Sequence, residues 1–542
     1  MKKAVKLFAL VLSLVIVVTS LAACGGKDEE LTGGSYTFWM PLDGAVAQTM
    51  NSLGEHQFFK AVNEATGINM SFIHPAQGST GSEAFQILLA SNDMPDVVAY
   101  GWGGTAYAGG PDQAIADGVI IAINDYLEEY APNYYRYMEG EIGKEAGYIY
   151  KKSALSDQGN YYGFRGINIG SYGCFDGIYV RKDLLDKWGF DIPETIDDWT
   201  AVFKKAKEEG HKYPFTCKKD LLAAFSAKEL FNTAYGIGQG FYLEGKKVKF
   251  GPYQKEYKDY LAQIADWMKA GYIDPDYITN GSDVTDAFMM NETSIATVGF
   301  IGSGLGKLLP TVEELKPDWE IAACPMPVLK KGDTPKFQTL LNPTRDSTMA
   351  ITYACGAENE QRYKEAIKWC DFIYSDEGMI LKNFGVEGDT YTIVKGEDGK
   401  DHYMYTDKVV KDFADIGAQN ISGGLYHYVL PSNHPGFNDL DDYYQGYYTY
   451  DAQKDALEVW NKYIDEAEKY VLPGLSYTGE EAAKIANIQA NGKADFQAVV
   501  SNIILGKQPV DDLDKAVKQL KKAGYDEYLK IQQAAYDRYL GK

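Results

Sequence analysis

The sequence predicts an α/β protein of two or more domains. Short apolar runs of strand character alternate along the chain with longer amphipathic runs of helical period, which is the pattern of sheets covered by helices. The chain has 542 residues, more than one hydrophobic core usually accommodates. Apart from Cys24, the cysteines are odd in number and widely spaced, so the core rather than a disulfide framework is expected to stabilise the fold; they are Cys174, Cys217, Cys324, Cys355 and Cys370.

The first 23 residues have the layout of a secretory signal peptide. Lys2, Lys3 and Lys6 precede an apolar run over 7–18, and small residues follow this run. The apolar run is too short to span a membrane stably. We therefore expect residues 1–23 to direct export.

Residues 21–24, Leu-Ala-Ala-Cys, resemble the lipobox of bacterial lipoproteins, in which the signal is removed and lipid is attached to the new N-terminal cysteine. The resemblance implies lipid on Cys24, a tether over 24–34 and a location on the extracytoplasmic face of the bacterial cell membrane. The alternative is an ordinary signal peptide in which Cys24 is incidental.

The charge of the chain restricts the classes of partner. Removal of residues 1–23 takes away three lysines and no acid, which leaves 50 basic and 76 acidic residues and a formal charge of −26. Nucleic acids and anionic lipids need clustered Lys and Arg, so this balance opposes both and also disfavours polyanionic ligands.

The first elements predict a β-α-β opening. In order, the expected elements are a strand over 36–40, a turn at 41–44, a helix over 57–66, a strand over 67–73, a helix over 82–91 and a strand over 97–100. Open α/β sheets bind ligands where strand ends meet loops such as 41–44 and 101–104.

A second block begins with a strand over 177–181 and a helix over 182–189. Residues 195–198 then form an acidic capping box, which predicts the start of another helix. Three tryptophans lie on apolar helical stripes and are expected in the core: Trp199, Trp267 and Trp369.

The glycine-rich run 302–307 follows an expected strand over 294–298. A phosphate-binding loop would require glycine at position 301 and serine or threonine at position 308, where the chain has Ile301 and Leu308. We therefore predict a flexible loop over 302–307 rather than a phosphate site.

Successive blocks of the chain resemble the extracellular solute-binding proteins of ABC importers, in particular the long, sugar- and oligosaccharide-type (family 1) branch. The blocks are NDMPDVV at 92–98, YVRKDLL at 179–185, IPETIDDW at 192–199, the helix and turn over 256–277, YSDEG at 374–378, FGVEGDTY at 384–391 and the tail over 520–539. The resemblance covers nearly the whole mature chain, and its motifs are structural ones that do not identify a sugar.

This resemblance implies a two-lobed, type II periplasmic-binding-protein-like α/β fold with a ligand cleft between the lobes. Each lobe is expected to combine two separate parts of the chain. The first lobe takes 35–173 and 327–385, and the second takes 174–326 and 386–542. The helices over 500–542 are expected to pack against either lobe. Crossover segments between the lobes are expected near 172–178, 322–328 and 384–391.

The resemblance also implies a function. A carbohydrate ligand would be captured outside the cell and presented to ABC permease subunits by a monomeric, lipid-anchored receptor, with no catalysis and no cofactor. The alternatives are a surface-anchored glycoside hydrolase, which needs two carboxyl groups facing across a sugar, and a sensory or adhesion module that keeps the binding fold.

Candidate ligand contacts follow from position rather than from a family motif. Aromatic residues near strand ends can pack on sugar rings, and carboxylates or guanidinium groups can bond adjacent hydroxyls. The aromatic candidates are Trp39, Trp102, Tyr172, Phe175 and Phe300, and the polar ones are Asp43, Asp176, Arg345 and Asp389. For each, the alternative is a core aromatic, a surface charge or a turn residue.

Catalytic and metal motifs are not matched by the sequence. The histidines and cysteines include no HExxH or CxxC pattern, and no GxSxG occurs with a plausible triad. Residues 438–442 resemble the start of a calcium loop, but Tyr443 occupies a ligand position and the central glycine is missing. No metal site is predicted.

Overall fold

The computed structural model describes residues 34–541, apart from 77–78, 104–105, 171–172, 220, 223, 227, 358, 397–398, 432 and 440. The predicted signal peptide, Cys24 and Tyr172 lie outside the described residues. Within those residues, every helix is too short or too polar to cross a bilayer.

Strands occur in both halves of the chain. They are β1 (Ser35–Trp39), β2 (Asn69–Ile73), β3 (Val97–Tyr100), β4 (Phe164–Ile169), β5 (Asp176–Arg181), β6 (Phe241–Glu244), β7 (Lys247–Phe250), β8 (Ala296–Phe300), β9 (Ile321–Ala323), β10 (Thr344–Ile351), β11 (Tyr391–Lys395), β12 (Asp401–Tyr405) and β13 (Phe437–Asp439).

Helices cover the sheets and form most of the C-terminal region. They are α1 (Gln57–Thr66), α2 (Gly81–Ser91), α3 (Gly110–Ala116), α4 (Leu127–Tyr130), α5 (Pro132–Met138), α6 (Glu141–Glu145), α7 (Ile149–Ala154), α8 (Lys182–Trp188), α9 (Ile196–Glu208), α10 (Glu256–Lys269), α11 (Ser282–Met290), α12 (Gly306–Leu315), α13 (Tyr353–Gly356), α14 (Gln361–Phe372), α15 (Asp376–Asn383), α16 (Asp407–Val410), α17 (Ile421–Tyr428), α18 (Asp442–Tyr447), α19 (Asp451–Asn461), α20 (Ile464–Ala467), α21 (Gly479–Ile504), α22 (Asp512–Lys522) and α23 (Tyr525–Gly541).

The first lobe is built on a six-stranded sheet with the order β13-β4-β10-β3-β1-β2. Strand β1 is parallel to β2 and β3, and α1 lies between β1 and β2 in the chain, which confirms the predicted β-α-β opening. Strand β10 is antiparallel to both β3 and β4. The carboxyl ends of β1, β3 and β4 therefore share one edge of the sheet with the start of β10.

The second lobe has a smaller sheet with the order β8-β5-β9, in which β5 is central and buried along its length. Its core contains Trp199 and Trp267, and the C-terminal helices α21, α22 and α23 pack into the same core. Thr195 forms the predicted capping box with Asp198 at the start of α9. Trp369 lies in the core of the first lobe. All three tryptophans that the sequence predicts to be in the core are therefore buried.

Strand β13 departs from the division of the chain expected from the sequence, which assigns all of 386–542 to the second lobe. It pairs in parallel with β4 of the first sheet. The reason is packing, because the Phe437 side chain is fully buried in the core of the first lobe.

The links between the two sheets fall close to the expected crossovers. The first runs from the end of β4 at Ile169 to the start of β5 at Asp176. Residues 324–328 are non-helical after β9, as predicted, but Val328 still bridges to Thr195 of the second lobe. The chain then returns to the first sheet at β10. A third core, shared by Phe384, Tyr391 and helices α12 and α19, surrounds the last predicted crossover.

The prediction of a flexible loop over 302–307 is wrong. Residues Ile301–Leu305 form a π-helical turn and α12 begins at Gly306. The glycines serve close packing: a Cβ on Gly302 would lie 2.9 Å from the Tyr447 ring, and one on Gly306 would lie 2.8 Å from the Gln453 amide nitrogen.

All five cysteines within the described residues are free thiols buried in the protein. Cys217 and Cys324 lie in the core of the second lobe, and Cys355 and Cys370 in that of the first. Burial raises the pKa of each of these thiols. They therefore pack as small apolar side chains.

Candidate functional site

A cavity of about 870 Å³ lies at the edge of the first sheet where β1 and β3 end. This position matches the general rule that open α/β sheets bind ligands at the carboxyl ends of their strands. We call it the cleft cavity. It is lined by Met40, Pro41, Leu42, Asp43, Gly44, Ser79, Gly81, Ser82, Gln86, Ala99, Tyr100, Gly101, Gly103, Ala106, Asp346, Ser347, Asn433 and His434.

Asp43 lies in the wall of the cleft cavity in the turn after β1. Its Oδ1 accepts a hydrogen bond from the backbone N–H of Ala45 at 2.8 Å, which fixes the turn. Its Oδ2 accepts a bond from the Asn433 side chain at 3.3 Å. Asp43 was predicted as a ligand contact from its position alone, and the structure places it at the cavity.

Asp346 also lines the cleft cavity, at an irregularity of β10 between Arg345 and Thr348. Its Oδ1 accepts the backbone N–H of Gly103 at 3.1 Å and lies 3.4 Å from the Arg165 guanidinium. Partial desolvation raises the pKa of Asp346, while Arg165 acts in the opposite direction. The sequence predicts a ligand contact at the neighbouring Arg345 and gives no signal for Asp346.

A second, smaller cavity of about 210 Å³ adjoins this wall, because Gly103 and Asp346 line both cavities. Its other walls come from residues 155–157 of the first lobe and from 474–477, which precede α21. The cleft therefore continues past Asp346 toward the C-terminal helices. A group bonded to Asp346 could lie in either cavity.

The second lobe presents a charged and aromatic cluster at the edge of its sheet. Asp176 starts β5 and is paired in register with Phe300 at the end of β8. Lys228 bonds Asp176 at 2.9 Å and lies 4.4 Å from the centre of the Phe300 ring. Burial raises the pKa of Asp176 and Lys228 opposes that shift. Phe300 is 44% exposed, so part of its side chain remains accessible to a ligand.

The structure places Trp39 and Trp102 in a small core beside the cleft rather than on its surface. Trp102 has no exposed surface, and its Nε1–H donates to the carbonyl of Val98 at 3.0 Å. Trp39 is 4% exposed and meets Tyr100 edge to face. Tyr100, which the sequence did not single out, lines the cavity instead. This departs from the expectation of ligand contact for both tryptophans, since neither ring presents a free face.

The remaining predicted residues lie outside the cavity wall. Phe175 packs on Tyr444 with ring centres 4.1 Å apart. Arg345 donates from Nε to Asn168 Oδ1 at 3.1 Å. Asp389 pairs with Lys408 at 2.7 Å on the protein surface. The structure therefore brings Asp43 to the cleft cavity and Asp176 with Phe300 to the second lobe, and it leaves these three residues in other contacts.

A further cavity of about 550 Å³ lies between Gln48 of the first lobe and the start of α12. It is more apolar than the cleft cavity, and several of its polar groups already have partners in the protein. Tyr447 bonds Ser422 at 2.8 Å, and the Gln453 amide donates to the Ile301 carbonyl at 3.0 Å. Its more apolar lining suits a sugar less well than the wall of the cleft cavity does.

Within the described residues, His, Cys, Asp and Glu side chains form no group of three or more suited to a metal ion.

Comparison with known proteins identifies a family. Residues 47–380 match the model of the family described as bacterial extracellular solute-binding protein. The chain is 23% identical over 337 residues to the melibiose/raffinose/stachyose-binding protein MelE of Bacillus subtilis, covering 60% of this chain and 69% of MelE. It is 22% identical over 581 residues to the fructooligosaccharide ABC transporter substrate-binding protein FusA of Streptococcus pneumoniae, covering 97% and 98% of the two chains.

The fold is similar to that of solved solute-binding proteins. One is the HMO binding ABC-transporter associated solute-binding protein from Bifidobacterium longum infantis, with a TM-score of 0.71 at 17% identity. The match covers 94% of this chain and 99% of that one. It supports the two-lobed architecture.

Proposed function

Because the chain belongs to the bacterial extracellular solute-binding protein family, we propose that it captures a sugar or short oligosaccharide outside the cell and delivers it to the membrane permease of an ABC importer. Members of this family are binding proteins rather than enzymes. The names of the relatives MelE and FusA refer to sugar binding, which supports carbohydrate as the ligand class.

The observation that carries the proposal is the cleft cavity with Asp43 and Asp346 in its wall. Its volume of about 870 Å³ lies within the range of about 300–1,000 Å³ that is usual for small-molecule sites. A carboxylate accepts two hydrogen bonds at once, so each aspartate can hold hydroxyl groups on neighbouring carbons of a sugar ring. Tyr100 adds an aromatic ring to the same wall.

The second lobe would complete the site when the lobes close. Phe300 offers a ring face to the C–H face of a sugar, and the Asp176–Lys228 pair offers polar groups beside it. A ligand that touches both lobes favours the closed state over the open one by its additional contacts. Capture is then a shift in the population of two lobe arrangements.

We also propose that the mature protein is a monomer held on the outer face of the cell membrane by lipid on Cys24. The lipid anchor is supported by the lipobox-like run that ends at this residue. Replacement Cys24→Ala in the producing bacterium should abolish the incorporation of a labelled fatty acid into the protein. Equal labelling of the variant and the unaltered protein would contradict lipid on Cys24.

The proposed function is tested by thermal unfolding of the mature chain with raffinose, stachyose, kestose and, as an acidic counterpart, trigalacturonate. A ligand that binds only the folded state stabilises it by about 2.7 kcal/mol at a hundredfold excess over Kd. We expect a higher midpoint with at least one sugar, which is recovered intact. The absence of any shift would contradict the sugar proposal, and cleavage of the bound sugar would indicate a hydrolase.

A further inference from the structure

Two side chains in the wall of the cleft cavity have polar atoms with no protein partner. His434 is 1% exposed, and neither of its ring nitrogens has a hydrogen-bond partner among the described residues. The hydroxyl of Ser347 is also buried and unpartnered within the described part of the chain. Both residues line the cleft cavity. Buried polar atoms in folded proteins nearly always have a partner, so each of these groups costs stability in the empty protein.

Both residues are held in place by their backbones. Ser347 lies within the irregularity of β10, next to Asp346. The backbone N–H of His434 donates to the carbonyl of Pro431 at 3.0 Å, and the neighbouring Asn433 bonds Asp43. The two unpartnered groups are therefore fixed in the same wall as the two cleft aspartates.

The surroundings of His434 keep its ring neutral. Burial, together with the nearby Lys382, His56 and His74, lowers the pKa of His434 well below its usual value. Lys382 is itself buried and donates to Asn438 at 2.6 Å rather than to a carboxylate. A neutral imidazole carries one N–H donor and one acceptor nitrogen, and a serine hydroxyl is likewise a donor and an acceptor.

We propose that His434 and Ser347 form a recognition site for hydroxyl groups of a neutral sugar bound in the cleft cavity. The ring nitrogens and the hydroxyl are enclosed in the empty protein, so entry of the sugar must shift the cavity wall and expose them to it. A sugar hydroxyl donates one hydrogen bond and accepts others, so it can pair with both the unpaired donors and the unpaired acceptors of these side chains. A carboxylate only accepts, which leaves the acceptor nitrogen of His434 unpaired, and an ammonium group only donates, which leaves its N–H unpaired. The site therefore selects hydroxyls over charged groups. This inference rests on the proposed function and assigns its specificity.

The proposal predicts that replacing Ser347 or His434 weakens sugar binding without lowering the stability of the empty protein. The replacements Ser347→Ala and His434→Phe each remove unpaired buried polar atoms, so the midpoint of the empty protein should stay the same or rise. The same replacements should weaken binding of whichever of raffinose, stachyose or kestose binds the unaltered chain by at least tenfold. A residue with only a structural role would lower the midpoint of the empty protein instead.

A matched control is His427→Phe. His427 also has an unpartnered buried ring nitrogen among the described residues, but it lies on α17, outside the cleft cavity wall. We expect its replacement to leave the Kd for the same sugar unchanged. Deoxy analogues of that sugar give a second readout. Removal of the recognised hydroxyl should weaken binding to the unaltered chain, but it should reduce the affinity of Ser347→Ala or His434→Phe much less.

The outcomes separate the two hypotheses. If the unaltered chain binds one of the neutral sugars and both variants bind it equally well, the recognition site is refuted while the proposed function stands. If the deoxy analogues lose as much affinity for Ser347→Ala and His434→Phe as they lose for the unaltered chain, recognition of hydroxyls by these two residues is refuted. If the unaltered chain binds none of the sugars, the proposed function fails and the inference fails with it. Ser347→Ala is a conservative change and keeps the test valid should His434→Phe fold poorly.

Discussion

Arg538 and Asp157 form an ion pair between the two lobes, with 2.5 Å between Nε and Oδ1. Arg538 lies on α23 of the second lobe and also binds Glu481, near the start of α21, through two nitrogens. Asp157 follows α7 of the first lobe and lines the smaller cavity beside Asp346. The C-terminal helices are therefore tied across the cleft as well as packed on the second lobe.

Replacement Arg538→Gln should lower stability by about 2 kcal/mol, because it removes charge-assisted hydrogen bonds and leaves two partly buried carboxylates without their cation. Denaturant unfolding of the mature chain measures this change. The control is Lys484→Gln, which breaks an exposed pair with Glu480 in the same helical region and should cost less than about 1 kcal/mol. Equal losses in both variants would show that the link between the lobes contributes little.

Replacements Asp43→Asn and Asp346→Asn should each weaken sugar binding about tenfold to a hundredfold. Each loses a charged acceptor, and hydrogen bonds to charged groups are worth about 1.5–3 kcal/mol. Calorimetric titration with the sugar found by thermal unfolding gives the Kd values. Asp407→Asn, which alters an exposed pair with Lys411, is the control and should leave the Kd unchanged. Unaltered affinity in both cleft variants would exclude these aspartates as ligand contacts.

Replacement Phe300→Ala should weaken binding by about 1–2 kcal/mol, since a ring that is exposed in the empty protein is buried against the sugar on closure. Unfolding of the empty protein should change little for the same reason. Leu315→Ala removes another exposed apolar side chain of the second lobe and serves as the control. If both variants bind with the affinity of the unaltered chain, the second lobe does not contact ligand at Phe300.

Stability should fall as pH decreases from about 6.5 to about 4, in part because of His56. Burial lowers the pKa of His56 to about 4, so the unfolded chain takes up a proton in this range before the folded one does. Protonation would also remove the cap of α1, where Nδ1 accepts the N–H of Phe58 at 3.1 Å. His56→Asn retains a capping side chain. The midpoint of thermal unfolding of this variant should fall less between pH 6.5 and pH 4 than that of the unaltered chain.

The control for this prediction is Ser375→Asn. Ser375 is the N-cap of α15 and accepts the backbone N–H of Gly378 at 3.0 Å, so the replacement exchanges a cap without removing a titratable group. We expect the midpoint of unfolding of this variant to fall between pH 6.5 and pH 4 as much as that of the unaltered chain. A fall as small in Ser375→Asn as in His56→Asn would contradict the assignment to His56.

Local patterns predicted local structure well. The helix Gln57–Thr66 and the strand Val97–Tyr100 have the predicted bounds, and the capping box at Thr195 starts α9 as expected. Each of these features depends on residues within a few positions of one another. The placement of β13 beside β4 depends on contacts between residues some 270 positions apart, such as that between Asn438 and Asn168, and no local pattern encodes such a contact.

The candidate site was less predictable for a related reason. Successive side chains of a strand point to opposite faces, so an aromatic residue near a strand end has an even chance of facing the core. Trp39 and Trp102 point inward, and Tyr100 lines the cavity. Ser347 and His434 had no sequence signal at all, because their distinguishing property is the lack of a partner among the described residues, which only the three-dimensional arrangement reveals.

The buried thiols make this protein a convenient scaffold for a fluorescent sugar sensor. All five cysteines within the described residues are enclosed, and their raised pKa values keep them as unreactive thiols at neutral pH. A cysteine introduced on the rim of the cleft would then react with a maleimide dye ahead of these native thiols. Under the proposed function, the emission of that dye would report lobe closure directly, without removal of any native cysteine from the core.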